Sequence, residues 1–186
     1  MSATETSIAN SALAKLGADR IIGLSDDTRE ARLLSEQFPK IRDDLLRAHP
    51  WNFAIKRVSL AALTTTPPFG FNLEYQVPSD CLRVLNVDSN GILWEREGNK
   101  ILTDSPSLGI RYVSKVTTPG SFDSCFCEVL ACLLASDICF AVTQSTSLKE
   151  SLDKQARQKL REARSFDGQE GGPTRTYAKE WLNSRY

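Results

Sequence analysis

The chain has 186 residues, of which 41% are hydrophobic and 25% are charged. This composition is that of an ordinary globular domain, and it excludes a disordered, collagen-like or membrane-embedded chain. Lysine plus arginine and aspartate plus glutamate both total 23, so the overall charge gives no reason to expect a dedicated binder of nucleic acid or of an anionic membrane.

The N-terminal quarter of the chain predicts two helices. Its first residues lack the basic start and apolar run of a signal peptide, and we expect no stretch that approaches the roughly 18 apolar residues of a membrane helix. We therefore expect synthesis in a cytoplasm and no membrane contact. Apolar residues recur at helical spacing from about residue 4 to Gly17, which stands where a left-handed C-terminal cap is usual. Asp27 and Glu30 then stand three apart like a capping box, and Pro39 predicts a kink or a break in the second helix.

A short aromatic segment follows the second helix. His49 precedes Pro50, which disfavours the helical conformation for the residue before it, and Trp51 and Phe53 then alternate with other residues. Extended chain is therefore predicted to begin here. His49 is the only histidine of the chain, and we interpret it as a structural junction residue together with Pro50, Trp51 and Phe53, rather than as a catalytic acid or base.

From about residue 55 to 116 the apolar pattern changes to a period of two, with turn residues between short runs. The sequence therefore predicts a small antiparallel β meander inserted between the second and third helices. Strands are expected at Phe71–Val77, Leu82–Asp88, Ile92–Glu97, Lys100–Thr103 and Gly109–Val113. The Asn90-Gly91 pair favours a type I′ turn, which would join the second and third of these strands in a hairpin.

Helical spacing returns after residue 121 and predicts the last two helices. The third is the most apolar and holds four of the five cysteines, which fit reduced, buried thiols better than a disulfide framework. Asp137 falls within it, where an unpaired carboxylate is costly, so we expect it to meet an arginine or to face an interface. The fourth helix is expected to begin at a capping box formed by Ser147 and Glu150.

The fourth helix carries a basic face. Its members are Lys154, Arg157, Lys159, Arg161 and Arg164. Two interpretations remain open: a solvated helix face, or a surface that lies near DNA phosphates or a partner. No aromatic residues are interleaved with these charges, so only non-specific contact with DNA would fit.

The end of the chain is predicted to be a flexible linker and an extended C-terminal arm, residues 167–186, after a glycine-rich stretch. Tyr177, Trp181 and Tyr186 are residue types that anchor protein interfaces. The arm either folds back on its own core or docks on a neighbouring subunit or another partner. The complete prediction is an α+β protein: a four-helix bundle core at 1–54 and 117–166, a β insertion at 55–116, and the arm.

The sequence carries no recognisable catalytic motif. The sequence has no Walker loop, dinucleotide fingerprint, nucleophile elbow or histidine-glutamate zinc motif, so we expect no catalytic, metal or cofactor site. The carboxylates Asp26, Asp27, Asp43 and Asp44 are explained by helix capping and solvated helix faces.

Several stretches of the sequence resemble the tail tubular protein A family of podoviruses. These stretches are residues 12–21, 24–32, 49–54, 74–84 and 110–113, followed by Phe122-Asp123 and the long apolar helix. The most specific piece is His49-Pro50-Trp51-Asn52-Phe53-Ala54, and the resemblance covers about residues 8–166.

The resemblance implies a structural head-to-tail adaptor of a short-tailed bacteriophage. Such a connector forms a dodecameric ring at the head-tail junction of the virion, docks on the portal protein, and is continued by a tail nozzle protein like tail tubular protein B, with a lumen for double-stranded DNA during ejection. It implies no enzyme and no cofactor. Asp43 and Asp44 against the arginines of the fourth helix are one candidate pairing between subunits, because a closed ring requires two different complementary faces.

Two other functions stay open at this point. One is a non-specific DNA-binding or packaged-DNA-stabilising protein, which the basic fourth helix would favour. The other is a small thiol enzyme, which requires a cysteine of low pKa.

Overall fold

The computed structural model describes residues 3–88 and 91–170, and within them the predicted α+β class is confirmed. The helices are α1 (Glu5–Leu16), α2 (Arg29–Ala48), α3 (Ser124–Thr143) and α4 (Thr146–Gln169). The strands are β1 (Ile55–Leu60), β2 (Leu73–Gln76), β3 (Cys81–Val87), β4 (Trp94–Glu97), β5 (Lys100–Thr103) and β6 (Leu108–Ser114). All six strands lie between α2 and α3, as the predicted insertion requires.

The helix ends show where local sequence rules held and where they failed. Gly17 caps α1 with a φ of 68°, the left-handed conformation that glycine adopts without strain. At α2 the cap is Thr28, whose hydroxyl accepts from the Ala31 amide, and the predicted capping box from Asp27 is wrong. At α4 the cap is Ser145, not Ser147. Each error is a shift of one or two residues between neighbouring polar candidates.

The second helix is a single helix from Arg29 to Ala48, so the predicted break at Pro39 does not occur. Pro39 is exposed, while Phe38 beside it is buried in the core. The buried stripe of α2 therefore continues past the proline, and its packing outweighs the backbone hydrogen bond that proline cannot donate.

The third helix is the centre of the helical bundle and packs against α1, α2 and α4. By length and composition alone Ser124–Thr143 is apolar enough to cross a membrane, with a mean hydropathy of 2.1. The expectation that no stretch reaches this length was therefore wrong. In the fold this helix supplies core side chains such as Phe126, Leu130 and Leu134, which accounts for its apolar composition.

The β insertion consists of two antiparallel three-stranded sheets, with orders β1-β6-β3 and β2-β5-β4. The hairpin expected at Asn90-Gly91 is wrong, because β3 pairs with β6 and β4 pairs with β5. Leu108 and Ile110 of the first sheet share a second hydrophobic core with Tyr75 and Ile101 of the other. The alternating pattern thus predicted the strands but not their partners.

Asp80, in the turn before β3, ties together the strands of the first sheet. Its carboxylate accepts from Lys56 Nζ at 2.7 Å and from Tyr112 Oη at 3.0 Å. Burial, reinforced by the Asp80 carboxylate, raises the pKa of Tyr112 to about 12. The insertion is therefore fastened by a charge-assisted polar contact as well as by its apolar core.

Candidate assembly surfaces

The junction after α2 is a buried aromatic cluster. Trp51 is 1% exposed, and its indole N–H donates to the carbonyl of Leu45 at 2.9 Å. Its ring packs edge-on against His49 and Phe126, with centroid separations of 4.7 and 5.2 Å. Phe53 also packs edge-on against Phe126, at 5.1 Å. The cluster therefore joins the end of α2 to α3 at the point where the chain enters the β insertion.

The backbone at this junction differs from the prediction in one respect. Residues Asn52–Ala54 form a short 3₁₀ turn, and the extended chain begins only at Ile55. Trp51, which precedes the turn, and Phe53, which lies within it, both contact Phe126. Pro50 is half-buried beside the turn.

Asp167 fastens the last turns of α4 to this junction. Its carboxylate lies 2.9 Å from His49 Nε2 and accepts from the Asn52 amide at 2.9 Å, while its carbonyl accepts from the Asn52 side chain. The predicted linker boundary at residue 167 was therefore wrong, because α4 continues to Gln169. Asp167 is followed by glycine, a pattern typical of a linker. Its role in holding the junction becomes visible only in the fold, where His49 lies beside it.

The basic face predicted on α4 divides into two parts. Lys154, Arg157 and Arg161 are exposed and follow one stripe of the helix at spacings of three and four. Lys159 lies elsewhere and forms an ion pair with Glu162 at 3.1 Å. Arg164 is half-buried, and its Nε has no hydrogen-bond partner. Only the first three residues therefore form a continuous solvated basic stripe.

A second basic surface, which the sequence did not reveal, lies on the sheet β1-β6-β3. Arg57, Arg111 and Asn86 are direct neighbours across the three strands, and Arg83 lies opposite Val113 further along the same face. Residues paired across antiparallel strands project to the same side of a sheet. We call Arg57, Arg83 and Arg111 the arginine face.

The arginine face has no acidic partner in an ion pair among residues 3–88 and 91–170. The Nε atoms of Arg83 and Arg111 are buried without a hydrogen bond. Arg57 and Arg111 border a groove of about 460 Å³, into which Asp88 also projects. The groove depends on Gly109, where an added Cβ would lie 2.7 Å from the Asp88 carboxylate oxygen.

An acidic groove lies between α2, α3 and α4. Asp44 and Asp137 are exposed at its rim and form no ion pair or hydrogen bond within the described part of the chain. Asp153 and Lys149 also line it and form an ion pair at 3.4 Å. The hydrogen bond from Ser136, and then the charge of Lys149, hold the pKa of Asp153 below its usual value. Its apolar lining consists of Ile41, Leu45, Ala48, Leu133 and Leu160. The prediction that Asp137 meets an arginine is wrong within the described chain, whereas its position facing an interface stays a prediction.

Asp43, one position before Asp44, has a different role. It is a partner of Arg42 at 2.8 Å and of Lys115 at 2.7 Å within its own chain. Arg47 likewise donates to the Leu82 carbonyl. One flank of α2 therefore binds the β insertion, and the opposite flank faces the acidic groove. The pairing expected for Asp43 with the fourth helix of another subunit needs correction, because its carboxylate is already engaged.

The five cysteines are free thiols, of which Cys132 and Cys139 are buried and the others half-buried. Burial raises the pKa of Cys127 to about 11 and raises the pKa of Cys81, Cys125 and Cys132 as well. A raised pKa lowers the population of the thiolate, which is the reactive form of cysteine. Within the described ranges, no three His, Cys, Asp or Glu side chains are grouped closely enough to hold a metal ion.

The interface anchors predicted in the C-terminal arm, Tyr177, Trp181 and Tyr186, lie outside the described residues. No protein-family model matches this chain, and the search of curated proteins also gave no match.

Proposed function

We propose that this chain is a structural head-to-tail adaptor of a short-tailed bacteriophage, a virion protein that forms a dodecameric ring between the portal and the tail nozzle. The observation that carries the proposal is the junction at residues 49–54. This stretch is the most specific part of the resemblance to the tail tubular protein A family. Its Trp51 is buried and its Phe53 half-buried, and both pack against Phe126 of α3. The motif thus has a structural use, which suits a non-catalytic assembly protein.

Unpaired charges at the surface give the proposal further support. The arginine face and the acidic groove lie on different elements. Asp153 of the groove is paired with Lys149, but Asp44 and Asp137 form no ion pair within the described chain, and neither do the three residues of the arginine face. A ring is built from two different faces of each subunit, which must be complementary to each other. Raised cysteine pKa values support the view that the protein is not a thiol enzyme.

A second candidate, a protein that binds duplex DNA without sequence specificity, is favoured by the exposed stripe of Lys154, Arg157 and Arg161 on α4. Three solvated cations on one helix face can contact phosphates, and such binding weakens steeply as salt increases. The equal totals of acidic and basic residues oppose it as the main function, because the overall field does not attract DNA.

The deciding experiment mixes the purified chain with the portal ring encoded in the same genome and measures the mass of the complex by native mass spectrometry. The adaptor predicts a discrete complex in which one copy binds per portal subunit. No association with the portal, together with salt-dependent binding of duplex DNA that Lys154→Glu/Arg161→Glu abolishes, would replace the adaptor with the second candidate.

A further inference from the structure

We propose that the arginine face of one copy of this chain binds the acidic groove of the next copy, so that copies join head to tail. The inference rests on the proposed adaptor function and deepens it by naming the two surfaces that connect neighbouring subunits. It replaces the fourth helix with the sheet β1-β6-β3 as the basic partner of the acidic residues.

The arginine face destabilises an isolated subunit. Arg57 and Arg111 stand directly opposite each other on neighbouring strands, and like charges in this position destabilise a sheet. Arg83 and Arg111 also carry buried Nε atoms without a partner, and such orphan donors in a native protein call for an explanation. An anionic group bound at this face offsets the repulsion between the guanidinium groups and accepts from their terminal nitrogens, since the buried Nε atoms lie out of its reach.

The same chain carries carboxylates that can bind the arginine face of another copy. Asp44 and Asp137 are exposed carboxylates at the rim of a groove with many apolar lining residues. Lys149 also lines the groove but is paired with Asp153, so these two carboxylates give the groove its net negative charge. Carboxylates are the planar partners that guanidinium groups bind with two parallel hydrogen bonds. The apolar side chains of the groove are removed from water when another copy binds, and this burial stabilises the contact. Exposed ion pairs alone contribute little binding energy.

The two surfaces lie on different parts of the subunit. Asp43 and Arg47 hold one flank of α2 against the β insertion, while Asp44 and Ala48 line the acidic groove on the other flank. The two charged surfaces are therefore separated by α2 and are different from each other. A contact between them is heterologous, and heterologous contacts generate rings when the rotation between copies closes.

The phosphates of duplex DNA are the competing occupant of the arginine face. Duplex DNA would use the arginine face alone, because its phosphates bind only cations. The acidic groove, moreover, has no use in DNA binding, whereas contact between copies employs both surfaces.

The test uses two charge-reversed full-length chains, Arg57→Glu/Arg111→Glu and Asp44→Lys/Asp137→Lys. Each variant alone opposes like charges, so association measured by sedimentation equilibrium at low salt should weaken at least about tenfold against the wild type. Mixing the two variants makes every contact complementary again and should restore association as alternating copies. The control Lys154→Glu/Arg161→Glu makes the same charge change on α4 and should associate like the wild type.

Three results would overturn the inference: a wild type that stays monomeric up to sub-millimolar concentration, reversed variants that associate as the wild type does, or a mixture that fails to associate when the wild type does. Loss of duplex DNA binding in Arg57→Glu/Arg111→Glu, without any loss of self-association, would assign the face to phosphates instead. Circular dichroism melting of each variant establishes that it is folded. Because portal binding is measured separately, a wild type that binds the portal while failing these tests would retain the adaptor function and lose only this interface.

Discussion

A single carboxylate, Asp167, connects the end of the last described helix with the residues that carry the family resemblance. Its side chain is 11% exposed and contacts both His49 and the Asn52 amide. Removing this carboxylate would leave nearly buried donors without an acceptor. The resulting loss of stability is larger than the average net contribution of one hydrogen bond. The position of α4 against the junction therefore depends strongly on this residue.

We expect Asp167→Ala to lower the free energy of unfolding by about 1–3 kcal/mol, because two donors at the junction lose their acceptor. Urea unfolding followed by tryptophan fluorescence measures the change directly, since Trp51 lies within the cluster. Glu150→Ala is the matched control: Glu150 is an exposed acid on the same helix without a partner in the described structure, and its loss should change stability by less than about 0.5 kcal/mol. Equal effects of the two substitutions would mean that the junction does not depend on Asp167.

At the scale of elements, the packing of α2 overrides its local sequence. An exposed proline interrupts the hydrogen bonds of a continuous helix at Pro39. Pro39→Ala should therefore raise the free energy of unfolding by about 1–2 kcal/mol, the difference between the cost of an interior proline and the entropy that proline removes from the unfolded chain. Thermal unfolding monitored by circular dichroism tests this, with Lys40→Ala as a neighbouring exposed control. A destabilised Pro39→Ala would show that the helix needs the local geometry that proline imposes.

The elements also show what the sequence could and could not predict. Periodicity identified four helices and most strands, because side chains must alternate or recur wherever one face is buried. Strand pairing was not predictable in the same way: β1 pairs with β6 across the whole insertion, and nothing near either strand encodes that partner. The arginine face was missed for the same reason, since Arg57 and Arg111 become neighbours only through this pairing.

At the scale of the whole molecule, a neutral sum of charges includes local surfaces of opposite sign. The helical bundle carries the acidic groove, and the β insertion carries the arginine face. Average charge therefore conceals the two surfaces on which the proposed contact between copies depends. The sequence therefore did not favour a dedicated DNA binder, because that inference depends on the sum of the charges. It did not locate an interface, because an interface depends on where each charge lies.

The last prediction concerns the segment that follows the described residues. Tyr177, Trp181 and Tyr186 combine large contact surfaces with polar groups, and residues of this kind contribute most of the binding energy at many interfaces. If the arm binds the portal, deletion of residues 173–186 should leave the urea unfolding of the protein unchanged and weaken portal binding at least about tenfold, and Trp181→Ala should reproduce much of that loss.

Asn183→Ala, a small change within the same segment, is the control and should bind the portal ring like the full-length chain in a co-sedimentation assay. Full portal binding by the truncated chain would refute a role of the arm in docking. A truncated chain that instead loses stability would favour the other interpretation of the sequence, in which Tyr177, Trp181 and Tyr186 pack on their own core. The two measurements therefore separate an intermolecular anchor from an intramolecular one, because only the latter lowers the free energy of unfolding of the isolated chain.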